Sequence, residues 1–164
     1  MRRFLVIVMT VAVVLVSGSG TAFAKKFPKN ACKLATAAQV QAVVADADAG
    51  APQHQAVGPV KESSCYYKET NQSVSALDTL TISVTTLPAG IPFSELKLSL
   101  KEEGATQVKG LGRVAYVSSA VPIDVEVKAV VGKVLLTVEL NDGSNANDRR
   151  DALITLAKQV AKKL

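Results

Sequence analysis

The chain has 164 residues, of which 48% are hydrophobic and only 4% aromatic, with a net charge of +5 at neutral pH. This length suits one domain with a substantial core, and because tryptophan is absent the core must depend on aliphatic side chains. No cluster of lysine and arginine with interleaved aromatic residues is present, which argues against a nucleic-acid-binding protein.

The first 24 residues have the pattern of a secretory signal peptide. Arg2-Arg3 supplies a positive start, Phe4 to Val16 is an apolar run of 13 residues, and Ala22-Phe23-Ala24 places small residues where a signal peptidase cleaves. A spanning helix needs about 20 apolar residues, so this run is too short, and no later stretch is long enough. We predict a signal peptide of residues 1–24 and a single domain of residues 25–164, with 17 basic and 14 acidic residues and a net charge of +3.

Cys32 and Cys65 are the two cysteines of the chain. Exported proteins mature in oxidising compartments, which favours a bond between the two sulfur atoms. A pair of metal-binding or redox thiols would need closer spacing or more ligands. Closing a loop of this length restricts the unfolded chain by about 3.8 kcal/mol. We expect the bond to pin a helix to the first strand of a sheet.

The first half of the domain begins with a capped helix. Thr36-Ala37-Ala38-Gln39 fits a capping box, and an alanine- and valine-rich face follows until Gly50 and Pro52 end the helix. The proline- and glycine-rich segment 51–59 predicts a loop that contains His54. A strand from Ser64 to Lys68 and a polar turn over residues 70–75 follow.

The middle of the domain has a clear strand pattern. Residues 79–87 alternate between apolar and polar side chains, so one face of this strand is buried and the other is wet. A solvent-exposed face indicates an antiparallel sheet, because parallel sheets are usually covered on both faces. Pro88-Ala89-Gly90 then turns the chain into a helix from Phe93 to a stop at Gly104, although the alternation of Leu96, Leu98 and Leu100 also fits a strand.

The last third predicts three strands and a helix. Gly110-Leu111-Gly112 turns into a strand over 113–118, and strands over 123–130 and 133–140 form a hairpin at Gly132. An amphipathic helix ends the chain. The predicted order is α-β-β-α-β-β-β-α, an α+β fold with an antiparallel sheet of about five strands and helices packed on one face.

Several short motifs follow one another along the mature chain. They are a cysteine before a capped helix, a cysteine–aromatic strand, a Gly-Leu-Gly turn before Ala-Tyr, a hairpin and a final apolar-striped helix. The residues are Cys32, Leu34, Thr36, Val40, Cys65, Tyr66, Gly110-Leu111-Gly112, Ala115-Tyr116 and Leu153 through Leu164.

This combination resembles a family of small exported actinobacterial proteins and lipoproteins that are grouped as a domain of unknown function. The resemblance implies an actinobacterial source, a location in the cell envelope or outside the cell, one bond between the two cysteines, and an α+β fold. Many relatives carry a lipid-anchor cysteine, which this chain lacks. The family has no agreed activity, so the resemblance carries no catalytic residue to this chain.

No pattern in the sequence reaches a catalytic or metal-binding signature, so we assign no catalytic residue, no cofactor and no metal ligand. Tyr66, Tyr67 and Tyr116 are candidate binding residues that could line a groove, although tyrosines also pack within sheets. A hydrolase would have to use His54 as its base, but no serine lies in a Gly-x-Ser-x-Gly turn. The segment Asn141–Asn145 is oxygen-rich like a calcium loop, but it lacks the bidentate glutamate and also fits an ordinary turn.

The leading hypothesis is an exported, monomeric, non-enzymatic binding or interaction module of the cell envelope or extracellular space. Its partner would be an envelope protein or a small ligand, held on the uncovered face of the sheet or in a groove between sheet and helices. Two alternatives are a small secreted hydrolase that uses His54 and a carrier of an apolar ligand or lipid.

Overall fold

A computed structural model describes residues 27–70, 78–101, 104–142 and 145–164 of the protein. The predicted signal peptide and most of the predicted turn at 70–75 lie outside these ranges. Within them the chain forms an antiparallel sheet with α-helices, so the predicted α+β class is confirmed. None of the helices in these ranges combines the length and the apolar character that crossing a bilayer requires.

The described residues form one seven-stranded antiparallel sheet rather than the five strands predicted. In chain order the strands are β1 (Ala51–Val57), β2 (Val60–Lys68), β3 (Thr79–Thr86), β4 (Thr106–Gln107), β5 (Val114–Val121), β6 (Asp124–Val131) and β7 (Val134–Asn141). Their spatial order is β1-β2-β3-β7-β6-β5-β4, so β7 lies between β3 and β6. The predicted hairpin is confirmed as the pair β6–β7, whose strands turn at Gly132.

The prediction of a loop over residues 51–59 is wrong, because most of this segment is the edge strand β1. Pro52 lacks an N–H donor, but an edge strand tolerates this loss because one side of its backbone has no partner strand. Gly58, with a φ of 59°, and Pro59 form a two-residue turn between β1 and β2. The other missed strand, β4, is only two residues long and has no alternation to detect.

Helix α1 (Ala37–Gln41) begins as predicted but ends early. The capping box is present, because Thr36 Oγ1 accepts from the amide of Gln39 and Gln39 Oε1 accepts from the amide of Thr36. The predicted continuation to Gly50 is wrong, because the chain leaves the helix after Gln41 and passes through turns before β1 begins. Asp46 adopts a φ of 51°, and Asp48 Oδ1 accepts from the amides of Gly50 and Lys68, so the side chain competes with helical hydrogen bonding.

The helices cover both faces of the sheet, which corrects the prediction that they share one. Helix α3 (Arg150–Ala161) and the α1 region pack on what we call the helix face, where β3 places Leu80, Ile82 and Val84. Helix α2 (Phe93–Leu100) packs on the opposite face in a second, smaller core. The buried residues of that core are Leu100, Val114, Tyr116 and Val130. Both faces of β5 carry apolar side chains, so this strand supports a helix on each side.

The disulfide is confirmed, with an S–S distance of 2.01 Å and a Cα–Cα distance of 4.9 Å between Cys32 and Cys65. Cys32 lies in a short 3₁₀ helix, Ala31–Lys33, that precedes α1, and Cys65 lies on β2, the second strand rather than the first. Gly50 packs so closely here that a Cβ atom would lie 2.5 Å from the Tyr67 ring and 2.8 Å from Cys65 Sγ. The bond therefore closes a tightly packed corner of the helix face.

Arg149 joins three segments at the end of the sheet where β3 begins and β7 ends. Its guanidinium forms ion pairs with Asp78 and, at 3.1 Å, with Asp142, and it donates to the carbonyl oxygen of Val43 at 3.3 Å. The two aspartates are only 2% and 3% exposed. Because buried charges are tolerated only when they are paired, this arginine helps both carboxylates to lie inside the fold.

Candidate functional site: a cleft between helix α2 and the sheet

An apolar cleft of about 290 Å³ opens at the end of the sheet opposite Arg149. Four separate segments form it: the exit from β3, the start of α2, the start of β5 and the β6–β7 turn. Its apolar lining includes Leu87, Ile91, Phe93, Leu96 and Val130. Val130 also belongs to the small core beneath α2, so the cleft is where that core opens to solvent.

Two backbone features bring these segments together. Gly112 has a φ of 58°, and a Cβ atom there would lie 2.2 Å from the carbonyl oxygen of Val130, so only glycine permits this approach. The next residue, Arg113, then donates its amide to the same oxygen at 2.8 Å. On the other side, the Leu87 amide donates to the carbonyl oxygen of Lys133 at 3.0 Å, which holds the exit of β3 against the β6–β7 turn.

Arg113 and Lys133 are the charged residues that line the cleft, and both side chains are exposed. The Arg113 guanidinium lies over the ring of Phe93 with its central carbon 4.2 Å from the ring centroid. This distance fits a cation–π contact, which stabilises the wall of the cleft and holds the guanidinium at its mouth. No acidic residue is among the described residues that line the cleft, so its local charge is positive.

The three candidate tyrosines do not share a groove. Tyr67 is buried on the helix face, where its hydroxyl donates to the carbonyl oxygen of Cys32 at 3.5 Å. Burial, with a smaller contribution from the negative charge of Asp48, raises the pKa of the Tyr67 phenol above its usual value of 10.0. Tyr116 is buried beneath α2. Only Tyr66 is partly exposed, on the opposite face, where Lys68 Nζ lies 5.4 Å from its ring centroid.

His54 lies in the middle of the exposed edge strand β1, directly across from Ser63 on β2. Ser63 is fully buried, and its hydroxyl accepts a hydrogen bond from the amide of Ala31 at 3.0 Å. Glu62 and Ser64 also line a surface cavity with His54, but strand alternation directs them to the face away from Ser63. The serine directly across from His54 is therefore buried and already accepts a hydrogen bond.

The oxygen-rich segment 141–145 is built around its aspartate. The Asp142 carboxylate pairs with Arg149 and accepts from the amide of Asn145 at 3.1 Å, which is ordinary turn and ion-pair chemistry. Residues 143–144 lie outside the described ranges. Within the described residues no group of three or more histidine, cysteine, aspartate or glutamate side chains is placed to hold a metal ion.

The part of the opposite face that α2 leaves uncovered is polar. Strand β3 contributes Thr79, Thr81, Ser83 and Thr85 to it, and each is half-buried and alternates with a buried apolar residue, as the sequence predicted. On β6, Lys128 and Glu126 form an ion pair at 2.7 Å. This surface and the cavity beside His54 offer mostly hydroxyl, amide and charged groups, whereas the cleft is a concave site with a mainly apolar lining.

The cleft residues Phe93, Arg113 and Lys133 were not among the residues singled out from the sequence. One available signal was the pair of glycine turns, 110–112 and 132, which place a cation directly after each tight turn. Nothing in the local sequence shows that these turns meet, because about 20 residues separate them along the chain.

The chain matches no family model, no curated protein and no solved structure. The resemblance to exported actinobacterial proteins therefore stays a prediction.

Proposed function

We propose that the protein is an exported, non-enzymatic binding module whose site is the cleft between α2 and the sheet. The observation that carries the proposal is the cleft's composition, an apolar lining with two cations at its mouth. Small-molecule sites are usually concave and mostly apolar, with a few polar groups that orient the ligand. The cleft has this composition.

Two features support an exported location. The first 24 residues fit a secretory signal peptide, and the disulfide between Cys32 and Cys65 is typical of proteins that mature outside the reducing cytosol. Both features fit the cell envelope and the extracellular space equally well.

The composition of the cleft also supports binding rather than catalysis. Its described lining contains no serine, cysteine, histidine, aspartate or glutamate, so it lacks the side chains that most often act as nucleophile or general acid–base. The cleft is partly open to solvent, so a bound ligand would keep one end exposed at the surface.

Nuclear magnetic resonance titration of the purified, isotopically labelled protein with 1-octanol tests this proposal. We expect amide shift changes that are concentrated at the cleft, around Phe93 and Lys133. Replacing Leu96, which lines the cleft, by glutamine should weaken binding because a polar amide enters the apolar wall.

Leu98→Gln is the matched control, since Leu98 lies on the same helix, is 74% exposed and is outside the lining. If octanol perturbs no cleft residue, or if the two variants bind equally well, the proposed site is wrong. Ester and peptide hydrolysis assays of the wild type and His54→Ala address the alternative, because an activity lost in that variant would point to an enzyme instead.

A further inference from the structure

We propose that the cleft is selective for an anionic amphiphile, namely a fatty carboxylate whose single aliphatic chain enters the cleft while its carboxylate meets Arg113 and Lys133. This inference rests on the proposed function, because it names the class of ligand for the same site.

The charged residues among the described lining of the cleft are both positive. Arg113 and Lys133 come from different strand ends and line the same opening, whereas the acidic residue of the first turn of α2, Glu95, is exposed and outside the lining. An anion at the mouth therefore has two cations within the same site. A ligand with a cationic head would meet like charge there, and repulsion of this kind is how binding sites reject unwanted partners.

The position of Arg113 suits a carboxylate. Its central carbon lies 4.2 Å from the Phe93 ring centroid, and the N–H donors of a guanidinium lie around the edge of its plane. The contact with Phe93 therefore holds the cation at the cleft, where its exposed side chain can meet a planar carboxylate. Arginine forms two parallel hydrogen bonds with such a group.

The size of the cleft restricts the apolar part. Its volume of about 290 Å³ lies just below the usual range for ligand sites, roughly 300–1,000 Å³. A single short chain fits this space better than a lipid with two tails. The apolar walls, formed by Leu87 and Ile91 on one side and Leu96 and Val130 on the other, match an aliphatic chain.

The test compares octanoate, 1-octanol and octylamine, which share a chain and differ in the charge of the head group. Each is titrated into the labelled protein below its critical micelle concentration at neutral pH. We expect octanoate to bind roughly fivefold to tenfold more tightly than octanol, because partly exposed charge pairs give modest gains. We expect octylamine to bind more weakly than octanol.

Two variants assign the selectivity to the named side chains. Lys133→Glu, at an exposed turn position, should reduce octanoate binding and raise octylamine binding while octanol changes little. Arg113→Gln should reduce the preference for octanoate. Lys97→Gln is the matched control, because it removes one positive charge from the exposed surface of α2 without touching the lining.

The outcomes separate this inference from the proposed function. Absence of binding by all three probes overturns both. Binding at the cleft with equal affinity for the three head groups overturns the charge selectivity and leaves the binding module standing. A preference for octanoate that survives Lys133→Glu and Arg113→Gln would contradict the assignment to these residues.

Discussion

Replacing Arg149 by methionine should destabilise the protein far more than a typical surface substitution. The change keeps an unbranched, flexible stem but removes the guanidinium that pairs with Asp78 and Asp142. Both carboxylates would stay buried without their cation, and the carbonyl oxygen of Val43 would lose a donor. The perturbation thus acts on three segments at once, since the arginine joins α1, the start of β3 and the end of β7.

Removing one partner of a buried ion pair costs about 3–5 kcal/mol, mainly because the remaining charge is left uncompensated. The Arg149 side chain is 31% exposed, so water can reach part of the site and the lower end of that range applies. We expect a loss of about 3 kcal/mol, a large fraction of the 5–15 kcal/mol that stabilises a typical domain. In urea this corresponds to a midpoint lower by about 1.5 M, for a denaturant dependence of about 2 kcal/mol per molar.

Urea unfolding followed by circular dichroism measures the difference, and Arg150→Met is the matched control one residue along the chain. A triple variant, Arg149→Met with Asp78→Asn and Asp142→Asn, should regain part of the loss because no charge remains unpaired. If Arg149→Met and Arg150→Met unfold within about 0.5 kcal/mol of each other, the buried ion pairs do not stabilise the fold as argued.

Three further substitutions test the disulfide corner. Gly50→Ala should lower the free energy of unfolding by about 2–4 kcal/mol in urea, because it combines a positive φ with a clash against Tyr67 and Cys65. Gly58→Ala is the control at an open turn with positive φ, and it should cost only about 1 kcal/mol. Equal losses in the two variants would contradict the packing argument. Replacing Cys32 and Cys65 together by alanine should cost about 3.8 kcal/mol, measured the same way, and a loss below about 1 kcal/mol would show that the bond restricts the unfolded chain little. Because burial raises the pKa of Tyr67 in the fold, the unfolded chain loses this proton first as pH rises above about 10, so stability is full below pH 10 and falls above it. Tyr67→Phe should flatten this alkaline fall in a pH series of unfolding measurements, and an unchanged slope would refute the assignment.

The parts of the fold that could be predicted are those whose signals are local. The capping box at Thr36 and Gln39, the alternation of β3 and the β6–β7 hairpin each depend on neighbouring residues, and the structure confirms all three. The disulfide could be predicted from the signal-peptide pattern and the number of cysteines.

The errors arise where local chemistry is compatible with two structures. Pro52 and Gly58 are loop residues by composition, yet an edge strand and a tight turn accept both. Helices cover both faces of the sheet because β5 has apolar side chains on both of its faces. Its continuous apolar run is too short to show from the sequence whether one face or both faces are buried. The cleft could not be predicted, because its walls come from four segments that only the sheet order brings together.

A crystal structure of the purified protein with octanoate tests the central claim most directly. The account predicts density for the aliphatic chain between α2 and the β6–β7 turn, with the carboxylate within hydrogen-bonding distance of Arg113 or Lys133. An empty cleft at saturating octanoate, or a ligand bound at the edge strand β1 or on the polar part of the sheet, would contradict it.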